Sequence, residues 1–388
     1  MRKRKICIIG PSRRFLSGIS YYTIRLSNIL ACGDTVSLIY LRRLLPEFLF
    51  PGRRHIGRLM SGVKTENVRV FDGMDYNNPL TWALAFNFLK RERPDYLIMQ
   101  WWTSSVAHML LIMEILNSLF VHAKVLIEFH EVVDPLEDSI LPIRLYSRFT
   151  GRLLRRGADA YITHSISDKN AISGKYGISR DRIYVIPHGL YDHYMPVDGT
   201  SAKSELSLTE NYVILSFGLI REYKGVPYLI KAFEQLPPEI AARSRLLIVG
   251  EIWEGREQLL SQLASSPLRG KITLIDRYVP DNEVSLYFSA ADAVVLPYTR
   301  ASQSGVAHIA MSFGKRVIVT SVGGLKESMS GYEGTEFVQP RDPDAIRLAL
   351  EKGFRRRGLR FTPPVRGWEA IAKIYRDVID RLSARSTR

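Results

Sequence analysis

Only two cysteines, Cys7 and Cys32, occur in the 388 residues. They are too few for a disulfide framework and too isolated for a zinc site, which fits a reducing compartment. Long apolar runs are missing as well. The most hydrophobic helical stretch, residues 108–120, is interrupted by Glu114 and Asn117 and falls short of the ~20 residues that cross a bilayer, so no transmembrane segment is expected. The opening MRKRKICIIGP has a charged start but only four apolar residues before Gly10 and Pro11, and reads as a buried first strand rather than a signal peptide. No tandem repeat or low-complexity tract occurs. No complete G-x-G-x-x-G follows a strand with an acidic residue beyond it, which argues against a nicotinamide-dependent enzyme.

Acidic charge is scarce in the first half. Residues 1–190 hold 27 Lys and Arg against 16 Asp and Glu, +11 of the net +15, and the remainder holds 27 against 23. Within that half, residues 41–64 interleave Arg42, Arg43, Arg53, Arg54, Arg58 and Lys64 with Leu, Phe, Ile and Met, and a second basic cluster follows at residues 148–157. Such segments suit an anionic membrane surface or a phosphate-bearing acceptor; a solvated face with ordinary Arg packing is the plain alternative. No zinc-finger, RRM-like or helix-turn-helix signature accompanies them, so nucleic acid is not expected as a partner.

What is present is a regular alternation of apolar strands and amphipathic helices, in two rounds. The first round places strands at residues 5–10, 35–41, 68–72, 96–100, 124–130, 160–165 and 183–189. The second places them at 212–218, 245–250, 272–276, 293–297 and 316–321. Such continuous apolar runs between helices require parallel sheets covered on both faces. With a length near twice the usual domain size, they predict two doubly wound α/β domains facing a cleft. The domains read as 1–190 and 212–365, with a polar linker at 191–211 and an amphipathic helix, 366–388, returning to the first domain.

Ligands of such sheets bind beyond the carboxyl ends of the strands. There, Phe217 and Gly218 precede Arg221 and Lys224, a guanidinium and an ammonium able to converge on one diphosphate. SQSGVAHIAMSFG, residues 302–314, forms a small-residue turn opening a helix, whose free N–H groups favour phosphate oxygens. A surface Arg and Lys and an ordinary turn are the bland readings of the same residues.

Together FGLIREYKG (217–225), LLIVGE (246–251), YVPDNEVSLYFSAADAVVLPY (278–298) and the block from SQSG to Glu327 resemble glycosyltransferase family 4, also called group 1, of GT-B architecture. The resemblance runs through nearly the whole chain. It implies retaining transfer of a glycosyl group from a nucleotide sugar to a hydroxyl. The basic first half adds the expectation of a glycan or lipid-linked acceptor at the cytoplasmic membrane face, and no aspartate pair spaced for a metal-bound diphosphate lies at a suitable strand end, so neither metal nor other cofactor is expected. It implies a glycine loop at Gly18, a histidine near the donor sugar at His130, and Arg221 and Lys224 on the diphosphate together with Gln303, Ser304 and Gly305. Tyr278, Val279 and His308 are implied at the nucleoside, and His188-Gly189 as a structural motif. Two departures stand out. Leu219 occupies the position where many members carry the arginine, and the two glutamates usual in this family are replaced by Ala301 (Ser302 if one residue is deleted) and Ile309. SQSG is read as a variant of that motif, and a catalytically silent nucleotide-sugar-binding scaffold is the alternative it raises.

Overall fold

The computed structural model describes residues 3–12, 18–43, 64–132, 141–363 and 367–385. The chain forms two compact units, one of Met1–Gly189 with Arg366–Arg388 and one of Leu190–Val365. Arg53, Arg54 and Arg58 lie outside the described residues, as does most of the basic segment that contains them.

The first unit is built on β1 (Lys5–Pro11), β2 (Thr35–Arg43), β3 (Arg69–Asp75), β4 (Tyr96–Trp101), β5 (Lys124–Phe129), β6 (Ala160–Thr163) and β7 (Ile183–Val185). They pair in parallel in the order β3-β2-β1-β4-β5-β6-β7. Helices α1 (Gly18–Ala31), α2 (Pro79–Glu92), α3 (Ala107–Phe120), α4 (Leu141–Gly157) and α5 (Ile166–Tyr176) connect them. Ile6, Cys7, Ile8 and Ile9 are buried on both faces of the sheet, which explains why their run is continuous rather than alternating. No helix among the described residues is long and apolar enough to cross a membrane.

The second unit repeats the plan with β8 (Tyr212–Phe217), β9 (Ser244–Val249), β10 (Ile272–Ile275), β11 (Ala293–Leu296), β12 (Arg316–Thr320) and β13 (Thr335–Val338). The order is β10-β9-β8-β11-β12-β13, again parallel. Its helices are α6 (Gly199–Glu205), α7 (Val226–Glu234), α8 (Pro238–Ala242), α9 (Arg256–Ser265), α10 (Asp281–Ala290), α11 (Gly305–Ser312), α12 (Gly323–Met329) and α13 (Pro343–Arg355). In each sheet the order reverses beside the first strand, between β1 and β4 and between β8 and β11. A crevice opens at such a switch point because the flanking loops leave toward opposite faces.

Two elements differ from the sequence expectation. Residues 191–211, read as a linker, fold with the second unit: Asp198 caps α6 by accepting from the Ser201 N–H at 2.7 Å, and Ala202 is buried. Strand β13 was not anticipated, because its four residues carry a glutamate and only Val338 is buried.

The C-terminal helix, Trp368–Arg385, completes the first unit rather than the second. The Tyr375 hydroxyl meets that of Tyr22 at 2.9 Å. Arg376 Nε donates to Asp34 Oδ2 at 2.8 Å, and Arg4 Nη1 reaches Oδ1 at 3.3 Å. The Asp34 side chain is 1% exposed, so its charge depends on these guanidinium groups. Arg376→Ala is expected to destabilise the unit by about 1–3 kcal/mol, less than a fully orphaned ion because Arg4 remains; urea denaturation measures it.

Candidate active site

In the second unit the loops after β8 and β11 flank the switch point. Gly218 adopts φ +98°, and a Cβ there would lie 3.4 Å from Lys224 Nζ and 3.3 Å from Val306. Glycine therefore lets the ammonium approach the end of β8. Gly225, at φ +67°, turns the chain into α7 so close to the Pro297 carbonyl that a Cβ would clash with its oxygen. The two loops are joined by the Thr299 N–H, which donates to the Tyr223 carbonyl at 2.8 Å.

Lys224 Nζ donates to the Tyr298 hydroxyl at 2.9 Å and lies 4.8 Å from that ring's centre. No carboxylate pairs with it among the described residues. Burial by itself lowers the basicity of this amine, but Tyr298 and Tyr223 outweigh it and the net shift is upward. Lys224 is thus a cation without a counter-ion. Arg221 is placed differently: its Nε lies 3.7 Å from Glu254 Oε1, and its guanidinium sits 4.9 Å over the Trp253 ring. An anion must share Arg221 with Glu254, whereas Lys224 is uncommitted.

The turn into α11 meets the same place. The Ser304 hydroxyl accepts from the Ala307 N–H at 3.3 Å, capping the helix, and lies 3.4 Å from the Tyr298 hydroxyl. Both amide atoms of Gln303 are shielded from solvent and have no hydrogen-bond partner among the described residues. A buried primary amide without partners is costly unless a ligand satisfies it. Gly305 starts the helix, and any side chain there would strike the Tyr191 hydroxyl. His308 is packed into the interior at 1% exposure, and Val279 is also buried while Tyr278 is half-buried.

In the first unit the sequence singled out His130 and Gly18. Gly18 begins α1, and the loop before it lies outside the described residues. His130 stands one residue past β5, with its N–H bonded to the Trp101 carbonyl at 2.8 Å. It belongs to a cluster that sequence reading did not find. His130, His164 and His188 follow the ends of β5, β6 and β7, and the Tyr22 ring packs against all three, with centroids 4.9, 5.3 and 4.6 Å away. Their signal was a histidine just beyond three successive strands.

His164 Nδ1 lies 2.9 Å from the Ile186 carbonyl and its Nε2 lies 3.3 Å from His130 Nδ1. A carbonyl only accepts, so His164 Nδ1 carries a proton. Glu128 lies beneath, accepting from Tyr375 and, at 3.3 Å, from Gln100 Nε2. Its carboxylate oxygens are 3.9 Å from His130 Nε2 and 3.8 Å from His164 Nε2. Ligand atoms of Glu128, His130 and His164 all lie within 4.8 Å of one another, so these are residues able to hold a metal ion. His130 Nε2 has no hydrogen-bond partner. Burial first, and His164 second, hold the His130 imidazole well below its ordinary range of basicity, so it is neutral near pH 7.

Because the unfolded chain takes up a proton at this ring near pH ~6.5 and the folded chain does so only at lower pH, the stability His130 contributes is present above ~6.5 and is lost as pH falls below it. Urea denaturation at pH 7.5 and 5.5 should show lower stability at the acidic value, with a smaller difference in His130→Gln.

The profile described as Glycosyltransferase Family 4 matches residues 19–192, and that described as Glycosyl transferases group 1 matches residues 211–354. Among curated proteins the chain is 26% identical over 255 residues to a D-inositol 3-phosphate glycosyltransferase of Geodermatophilus obscurus, covering 60% of this chain and 55% of that one. It is 28% identical over 213 residues to the mannosylfructose-phosphate synthase of Agrobacterium fabrum, covering 52% and 46%. The matches span about half the length of these relatives. Among solved structures, sucrose-phosphate synthase from Thermosynechococcus elongatus superposes with a TM-score of 0.67 at 18% identity, covering 99% of this chain and all of the other. Anabaena HepE in complex with UDP-glucose gives a TM-score of 0.67 at 19% identity, covering 98% and 99%. At these identities the structures establish a shared fold.

Proposed function

Since the chain belongs to the group 1 glycosyltransferases, glycosyltransferase family 4, we propose that it transfers a sugar, with retention, from a nucleoside diphosphate to a hydroxyl of a glycan or lipid-linked acceptor. The observation that carries this reading is the uncompensated Lys224 ammonium beside the Ser304 cap and the unsatisfied Gln303 amide. Cation, hydroxyl, amide and helix N-terminus all favour phosphate oxygens.

In the proposed reaction the bond from the anomeric carbon to the leaving phosphate oxygen breaks as the bond to the acceptor oxygen forms. The acceptor's proton passes to the leaving diphosphate. Lys224 and Arg221 stabilise the charge that develops there, and orientation supplies the rest. His130 is the residue of the first unit we assign to the donor sugar. Donor identity stays open, because Ala301 and Ile309 stand where most members have carboxylates. That same observation favours one alternative, a silent nucleotide-sugar-binding scaffold, which would bind nucleotide tightly yet hydrolyse no donor.

A thermal-shift screen of UDP, GDP, ADP and CMP tests the site. A nucleoside diphosphate is expected to stabilise the chain, with UDP the first choice because HepE was solved with it. Lys224→Ala should reduce the shift strongly while leaving weak binding, and Arg221→Ala should reduce it less. Transfer activity is expected to survive dialysis against EDTA; its loss would argue that a metal, rather than these cations, carries the diphosphate.

We also assign the chain to an anionic membrane face. Helix α4 docks through Ser147, Thr150, Gly151 and Leu154, and presents Leu141, Leu145 and Phe149 at 57, 58 and 66% exposure. These stand at i, i+4 and i+8, with Arg144, Arg148 and Arg152 alongside at the same spacing. Arg155 is excluded from this surface, being stacked 3.8 Å over the Tyr176 ring. Arg42 and Arg43 are exposed at the end of β2, Arg43 lying 3.6 Å from Asp75. Sedimentation with phosphatidylglycerol vesicles is expected to exceed that with phosphatidylcholine, and to fall in Leu145→Glu/Phe149→Glu and in Arg53→Ser/Arg54→Ser/Arg58→Ser. Binding indifferent to lipid charge would overturn the assignment.

A further inference from the structure

One side chain lies between Lys224 and Ser304, and no sequence signal pointed to it. Tyr298 follows β11 and is buried at 3% exposure. Its position is set from several sides. Its carbonyl accepts from the Thr320 hydroxyl at 2.6 Å, the Thr299 N–H ties the next residue to Tyr223 at 2.8 Å, and the Tyr223 ring packs edge-on against the Tyr298 ring with centroids 6.0 Å apart. The phenol therefore enters the site from a fixed frame.

Two of the three hydrogen bonds here have their direction fixed by a nitrogen donor. An ammonium only donates, so the 2.9 Å contact has Lys224 giving and the Tyr298 oxygen accepting. Between the Tyr298 and Ser304 hydroxyls, 3.4 Å apart, either oxygen can donate; with the phenol already accepting from Lys224, the arrangement taken here has its proton going to Ser304 Oγ. Ser304 Oγ also accepts from the Ala307 N–H at 3.3 Å. A hydroxyl has two acceptor positions and one proton; with the phenol donating, both acceptor positions of Ser304 are used and its proton is not. Lys224 likewise keeps two N–H groups. At this end of the sheet the two residues expose donors and no acceptor.

We propose that Tyr298 is a positioning residue of the diphosphate site: accepting from Lys224 and donating to Ser304, it fixes the ammonium and takes up the remaining acceptor position of Ser304, so that the pair presents donors to an anionic phosphate oxygen and disfavours cationic groups. This rests on the diphosphate reading of the site for its ligand, though not for its geometry. Without the phenol oxygen, the Lys224 ammonium loses its sole hydrogen bond among the described residues, and its long, flexible stem spreads over several rotamers. The Ser304 hydroxyl becomes free to turn its lone pairs outward, which repels phosphate.

Tyr298→Phe keeps the ring and its packing and removes only the oxygen. Isothermal titration of the full chain with UDP is expected to show affinity about tenfold to a hundredfold lower, the range for a lost charge-assisted bond. In a Lys224→Ala background the same substitution should change little, because the residue acts through Lys224; the double-mutant cycle isolates that coupling. Equal losses in both backgrounds, or a Tyr298→Phe variant that binds UDP as the parent does, would overturn the proposal. A second measurement needs no nucleotide. With lysine labelled by nitrogen-15, the Lys224 ammonium should give a slowly exchanging proton signal that disappears in Tyr298→Phe and persists in Tyr223→Phe. If the parent chain binds no nucleoside diphosphate, the functional reading falls, and this signal still decides whether Tyr298 holds Lys224. Its persistence in Tyr298→Phe sinks the inference alone.

Discussion

Parallel pairing brings the carboxyl ends of all strands in a sheet to one edge, and each functional group described above hangs from that constraint. In the second unit β8 and β11 are neighbours with the reversal of strand order at their border, so the loops carrying Lys224 and Tyr298 are brought side by side although 74 residues separate them. In the first unit β5, β6 and β7 are adjacent in the same sense, and three histidines from distant parts of the chain surround one tyrosine. Antiparallel pairing would have sent alternate ends to opposite edges and dispersed both groups.

The two units use their strand ends with different electrostatics. The second gathers unspent donors: an ammonium, a capped hydroxyl, a free primary amide. A low-polarity surrounding strengthens such groups toward an anion. The first gathers acceptors around a carboxylate that Tyr375 and Gln100 support, with His130 kept uncharged by burial. A neutral imidazole can accept from a sugar hydroxyl, which suits recognition of a polyol; the donor-rich edge suits the charged end of a nucleotide.

Much of this was legible in the chain because buried parallel strands write themselves as unbroken apolar runs. Residues 5–10 and 212–218 could hardly be anything else. Strand β13 was not legible, because a four-residue edge strand with Glu336 on it differs little from a loop. Helix α6 was hidden by its polar composition; only Asp198 and its cap reveal it. Of the site, Arg221, Lys224 and the turn at Ser304 were visible as charge and small residues at strand ends, but their unequal commitments were not. The partner that ties up Arg221, Glu254, lies 33 residues away in another loop. Glu128 and His164 were masked inside runs that read correctly as strands, since periodicity says which residues are buried and not what they meet. His308 shows the converse: a chemically attractive residue at the right place in a motif, turned inward by the helix that carries it.

The C-terminal helix belongs to the first unit, while the whole second unit lies between it and residue 189. During synthesis, then, the strands of the first unit emerge long before the helix that supplies Tyr375 and Arg376. The second unit can close as soon as its own segment has left the ribosome, but the first is completed only when the helix Trp368–Arg385 follows. Until then Asp34 lacks Arg376, Glu128 has Gln100 but not Tyr375, and Tyr22 lacks the Tyr375 and Trp368 side of its packing. A chain cut before Trp368 would therefore keep every strand of both sheets, while the histidine cluster would lose the Tyr375 bond to the carboxylate beneath it.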